Sequence, residues 1–202
     1  MGALLACPAG FGLAALSQPI IHLLYPETNQ EVAGFCLMVL GIASVFVCMM
    51  LLCNSILQAN DRPGLPIWFI AIGSVVKLVV NFVLVSTPGI GILGAPVGTL
   101  VCFSLVSVME LAAIKKVVAY PPKYSRVFVK PLIAALVMGG AAWATNGLLT
   151  AIVGPNLAVV GAICVGGLVY LILVLLLKIL SKDDLALMPK GDKIAAILHI
   201  HK

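Results

Sequence analysis

The chain has 202 residues, of which 62% are hydrophobic and 9% charged, and its formal net charge is +5. Soluble domains carry about 25% charged residues, so with a mean hydropathy of +1.21 no sizeable soluble domain is expected. Nucleic acid is not an expected partner either, because the basic residues cluster at the ends of apolar runs. Those runs are about 20 residues long and do not alternate, which indicates spanning helices rather than barrel strands. The expected fold class is all-α, a polytopic membrane helical bundle.

Six crossings are predicted, at about 3–24, 33–58, 65–87, 91–117, 128–150 and 156–180, making a transmembrane unit over 1–180 and a tail over 181–202. Turn chemistry marks the breaks: Pro63-Gly64, Pro88-Gly89, Pro121-Pro122 and Gly154-Pro155. The first crossing follows Met1 with no basic flank, which argues against a secretory signal. Leu4-Leu5-Ala6-Cys7 imitates a lipoprotein cleavage box, but only six residues precede Cys7. The economical reading is a chain that starts partway through a larger protein. Either Pro8 or Pro19 can kink this helix, and His22 near its outer end is read as interfacial.

In the second crossing Asn54 and Gln58 lie four apart on one face. Hydrogen bonding between helices or capping of the helix end is one reading; lining a polar cavity is the other. The third crossing holds Lys77 at its middle and Asn81 one turn on. A charge at mid-bilayer depth costs from about 2.5 to well over 10 kcal/mol, so it rarely faces lipid. Ile70, Gly73, Ser74, Lys77 and Asn81 fall within about a third of the helical circumference, while Trp68, Ile72, Val75, Val76, Val79 and Val83 cover the rest. Neighbouring helices are therefore expected to shelter Lys77, either as a structural polar contact or in a cavity or translocation path.

Gly94 and Gly98 of the fourth crossing form a GxxxG step that admits a close helix neighbour, and Pro96 between them predicts a kink. Glu110, a turn or so inside Lys115 and Lys116, is expected to be paired or protonated, with Lys77 one possible partner. The fifth and sixth crossings are nearly devoid of polar residues apart from Trp143, Thr145 and Asn146. Their small residues, such as Gly139, Gly140, Gly161 and Gly166, suit close packing or contact with lipid chains. Within the tail, Ser181 is a plausible N-cap with Asp183 and Asp184 behind it, and Ile194, Ile197, Leu198 and Ile200 set against Lys193 and Lys202 predict a short interfacial helix.

Apart from Lys77, all eleven Lys and Arg residues fall on one side: Arg62, then Lys115 to Lys130, then Lys178 onward. The opposite loops carry none, and one holds Glu27 and Glu31. The positive-inside rule then puts both ends of the segment in the cytoplasm, with Tyr120 and Tyr124 at the interface. All six cysteines lie in apolar runs without paired spacing and read as small hydrophobes. His199 and His201 are too few for a metal site. No paired carboxylates, nucleophile elbow or phosphate loop appears, so neither catalysis nor a cofactor is expected.

The stretch ILQANDRPGLP (56–66), then Lys77 and Asn81, then TPGIGILGAPVGT (87–99), resembles the C-terminal half of the stage V sporulation protein B family. PAGFGLAALSQPIIHLLYP (8–26) and LALMPKGDK (185–193) are similar to segments of the same proteins. This family is the polysaccharide-biosynthesis branch of the multidrug/oligosaccharidyl-lipid/polysaccharide exporter superfamily, related to lipid II flippases. The resemblance implies a MATE-like transporter of about fourteen helices, of which these are the last six, whose bundles rock about a central cavity. It also implies a lipid-linked saccharide or peptidoglycan precursor as substrate, for cell-envelope or spore-cortex synthesis. Lys77, Asn81, Ser74, Glu110, Gln58 and Asn54 would then line the cavity. The partners implied are membrane lipids and an N-terminal transmembrane lobe missing here, which in lipid II flippases holds most of the cations linked to substrate. Two alternatives stay open: a cation-coupled drug exporter using Glu110, and a non-transporting membrane assembly partner.

Overall fold

A computed structural model describes residues 2–117 and 130–176. Tyr120, Tyr124, Lys123, Arg126 and the whole tail with its expected interfacial helix lie outside the described residues. Among the described residues there are helices and turns but no strand. Five of the described helices are long and apolar enough to cross a membrane, six crossings if a bent pair counts as one.

That bent pair is the first predicted crossing. Helix α1 (Gly2–Ala15) and α2 (Ser17–Leu24) meet at Leu16 and diverge by 74°. Pro19 supplies the cause: it has no N–H to give the Ala15 carbonyl, and its ring crowds that oxygen. Pro8 sits inside α1, which runs on past it. Of the two prolines that could kink the crossing, the second is the one beside the break, which falls three residues before it.

The Asn29 side chain accepts from the Val32 amide at 3.4 Å and starts α3 (Gln30–Ala59). The helix stops in a Schellman turn, with Asp61 N–H donating to Gln58 O (3.2 Å) and Arg62 N–H to Leu57 O (3.1 Å). Asp61 occupies the left-handed position at φ +57°, which a glycine would ordinarily fill. Next come α4 (Gly64–Ser86) and, after a 3-10 turn over Gly91–Leu93, α5 (Gly94–Val117). Pro96 stands in the first turn of α5, where its missing N–H has no intrahelical partner to lose, and the helix runs on past it to Val117. Helices α6 (Lys130–Val153) and α7 (Pro155–Leu176) are joined at Gly154, φ +91°, with proline opening the second helix.

The packing has two parts. Helices α1, α2, α6 and α7 close on Cys7, Ala134, Ala135, Met138 and Tyr170, and on Leu16, Ala142 and Ala162. Helices α3, α4 and α5 close on Met50, Cys102 and Val106, and on Cys53, Leu57 and Ile114. The parts join where α1 and α2 lie on α3. At that crossing, a Cβ on Gly10 would stand 2.6 Å from the Gly41 carbonyl oxygen, and one on Gly41 2.8 Å from that of Gly10.

Candidate functional site

Helix α4 rests almost entirely on α5 through one stripe, with Gly73 buried against Cys102 and Val106. The GxxxG step of α5 receives it: Leu84 packs on Gly94 and Asn81 on Gly98. The rest of α4 is bare, with Trp68, Leu78 and Phe82 each at least 70% exposed.

Lys77 stands on the border between these two faces. It is half-buried, and its Nζ lies 6.0 Å from the centroid of the Phe103 ring, a cation–π distance. Ser74, Lys77, Leu78, Asn81 and Phe82 line an open groove of about 460 Å³. The sequence reading placed Lys77 under the shelter of neighbouring helices of the same bundle. Instead α5 covers one flank, and no other described helix crosses the groove.

Asn81 holds its Oδ1 buried with no hydrogen-bond partner, against the backbone of Gly98. Its amide thus reaches both the groove and the α4–α5 seam. Ser74 is exposed on the groove rim.

Glu110 lies elsewhere. It is wholly buried, neither carboxyl oxygen has a partner, and Cys53 of α3 is within electrostatic reach. One turn before it, Ser107 donates to the Phe46 carbonyl at 2.9 Å. Lys77 does not pair with it. The lysine stands beside Phe103, seven residues before Glu110, or about 10 Å along α5 at 1.5 Å per residue. Asn54 is half-buried near the level of Cys53, and its Oδ1 also has no partner. Gln58 is exposed at the end of α3. The six residues read as one cavity lining therefore divide: Ser74, Lys77 and Asn81 share the groove, Asn54 and Glu110 lie in the α3–α5 region, and Gln58 stands apart.

Two further cavities follow the seam between the bent pair and α6–α7. An almost wholly apolar one of about 260 Å³ is lined by residues including Leu13, Leu16, Ile20, Met138, Ala142 and Ile163. Small residues make this room, among them Gly12, Ala162 and Gly166. Nearer the α2 end is a polar pocket of about 230 Å³. Its members Gln18, Gln30 and Thr150 were not singled out in the sequence, since each is an ordinary polar residue at a helix end.

Among the described residues no group of His, Cys, Asp and Glu is placed to hold a metal ion, and the described cysteines are free thiols.

No family model matches the chain, and no solved structure matches it. Two curated proteins do. One, named "Probable low-salt glycan biosynthesis flippase Agl15", from Haloferax volcanii, is 28% identical over 140 residues, covering 68% of this chain and 29% of that protein. The other, stage V sporulation protein B of Bacillus subtilis, is 25% identical over 136 residues, covering 67% of this chain and 26% of that protein. The chain thus spans between a quarter and a third of the length of these relatives. The chain is a multi-pass helical membrane protein similar to a glycan biosynthesis flippase and to a stage V sporulation protein, as the motifs in 56–66 and 87–99 implied.

Proposed function

We propose that this chain is part of a flippase that moves a lipid-linked saccharide or peptidoglycan precursor from the inner to the outer leaflet of a bacterial cytoplasmic membrane. The observation that carries this reading is Lys77, a cation midway along α4 in a groove open to the outside of the bundle. Such a position is costly in lipid and useful to a pyrophosphate headgroup, which favours a cation in a poorly hydrated cleft. The similarity to a glycan biosynthesis flippase supports the same conclusion.

In this mechanism Lys77 attracts the anionic head group, and the Asn81 amide adds a hydrogen bond beside it. A second transmembrane lobe covers the bare α4 face, and rocking of the two lobes exposes the groove to each side in turn. The one-sided distribution of basic residues supports both ends of the segment being cytoplasmic. The apolar cavity beside α6 and α7 takes the lipid tail. Glu110, buried outside the groove, gives a cation-coupled drug exporter little support.

The test is Lys77→Ala in the genomic copy, scored by the amount of saccharide precursor reaching the outer leaflet at equal membrane abundance. Loss of translocation is expected. Undiminished translocation removes Lys77 from the mechanism.

A further inference from the structure

The polar pocket of about 230 Å³ draws on four helices. Gln18 and His22 come from α2, and Gln30 is the first residue of α3. Asn146 and Thr150 lie a turn apart near the end of α6, and Pro155 of α7 stands beside them. The lining contains no Asp, Glu, Lys or Arg. Its oxygens nonetheless favour one kind of ligand. Asn146 Oδ1 is buried with no hydrogen-bond partner, and a buried acceptor without a donor is a standing cost. Thr150 gives its hydroxyl proton to the Asn146 carbonyl at 2.6 Å, so its oxygen is left to accept. The carboxamides of Gln18 and Gln30 can each turn an oxygen inward, and a neutral His22 has one accepting nitrogen.

The charges around this end have a single sign. Glu31 follows Gln30 directly, and Glu27 lies in the turn before it. Neither Lys nor Arg occurs in residues 1–61 or 131–177. Lys115 and Lys116 follow Ile114, which packs with Leu57 at the other end of α3, about 40 Å from Gln30 at 1.5 Å per residue. A phosphate or carboxylate would meet lone pairs here and no fixed cation. A primary ammonium brings three donors, no acceptor and a positive charge that an acidic rim attracts.

We propose that this pocket binds a primary ammonium group, whose N–H bonds are shared among Asn146 Oδ1, Thr150 Oγ and the glutamine oxygens. The site is separate from the Lys77 groove and stands without the flippase reading. It lies where spanning helices end, the level of the bilayer head groups. An ethanolamine head group and a free amine carry the same chemistry to it.

The test places the full chain in nanodiscs holding equal amounts of three lipids. Phosphatidylethanolamine carries a primary ammonium, phosphatidylcholine a methylated one with no N–H, and glucosyl diacylglycerol hydroxyls without charge. Lipids retained on the protein are counted by native mass spectrometry. Phosphatidylethanolamine is expected to be retained about tenfold over phosphatidylcholine, the effect of one hydrogen bond from a charged donor. Thr150→Val, which keeps the shape of the side chain, should bring that ratio close to one while phosphatidylcholine binding persists. Asn146→Leu should do the same, and serves if the first variant fails to accumulate. The two sources are separated in detergent, where free ethanolamine or choline is added and the thermal midpoint followed. A rise with ethanolamine alone, without lipid preference in the nanodisc, assigns the site to a soluble amine. Lipid preference without that rise assigns it to the head group. Equal retention of the two phospholipids, together with equal midpoints in ethanolamine and choline, overturns the site. So does a preference that survives both variants. Glucosyl diacylglycerol retained as well as phosphatidylethanolamine also overturns it, because a hydroxyl would then serve as well as an ammonium.

Discussion

The side-chain amide of Asn81 rests on the bare backbone of Gly98, where any Cβ would collide with its Oδ1. Since α4 is held by little besides this stripe on α5, Gly98→Ala is expected to lower stability by about 1–3 kcal/mol. The thermal midpoint of the purified protein in detergent measures it. Gly140→Ala, where a Cβ meets nothing within 4 Å, should leave the midpoint unchanged. Adding Asn81→Ala to Gly98→Ala should recover part of the loss.

Lys77 pits stability against function. Lys77→Met removes a cation from an open face at mid-helix and is expected to stabilise the isolated chain in bicelles by about 2–3 kcal/mol. Unfolding in dodecyl sulfate measures that gain. The same change should abolish precursor translocation. A variant both less stable and fully active would contradict both expectations.

Glu110 is buried with two oxygens that accept nothing. Replacing such a group by an apolar one of similar length removes an unsatisfied polar burden of about 1–3 kcal/mol. Glu110→Met should therefore match or exceed the wild-type unfolding midpoint. A marked fall would show that the carboxyl has a partner in the membrane.

At the end of α3, Asp61 holds a left-handed conformation inside a Schellman turn. Asp61→Gly should stabilise by about 0.5–1 kcal/mol, because glycine takes that conformation without the Cβ penalty. Asp61→Val should destabilise by a similar amount or more. Paired thermal melts of the two variants check the order.

Much of the fold was legible because each crossing must satisfy its own backbone within an apolar run, so length and Gly-Pro punctuation reveal the helices one by one. The position of Lys77 midway along α4 could be read in the same way. What covers each face could not. A helical projection groups Ser74, Lys77 and Asn81, but it does not show that α5 meets only one flank. It likewise gave no sign that Glu110 lies about two turns from Lys77 along α5. The break at Leu16 was displaced from the prolines because Pro8 is accommodated within α1 and Pro19 acts on the turn before itself. The polar pocket joins residues of 18–30 to residues of 146–159, and no local pattern links them.

Where Gly10 meets Gly41, two main chains touch with no side chain interposed. Contact of this kind fixes how near α1 and α3 can come, and the side chains of Leu13, Ser44 and Val45 close in beside it. Val45 also packs against the interior of the other half, so the crossing keys the two halves together. A bulky residue at position 10 or 41 would wedge them apart.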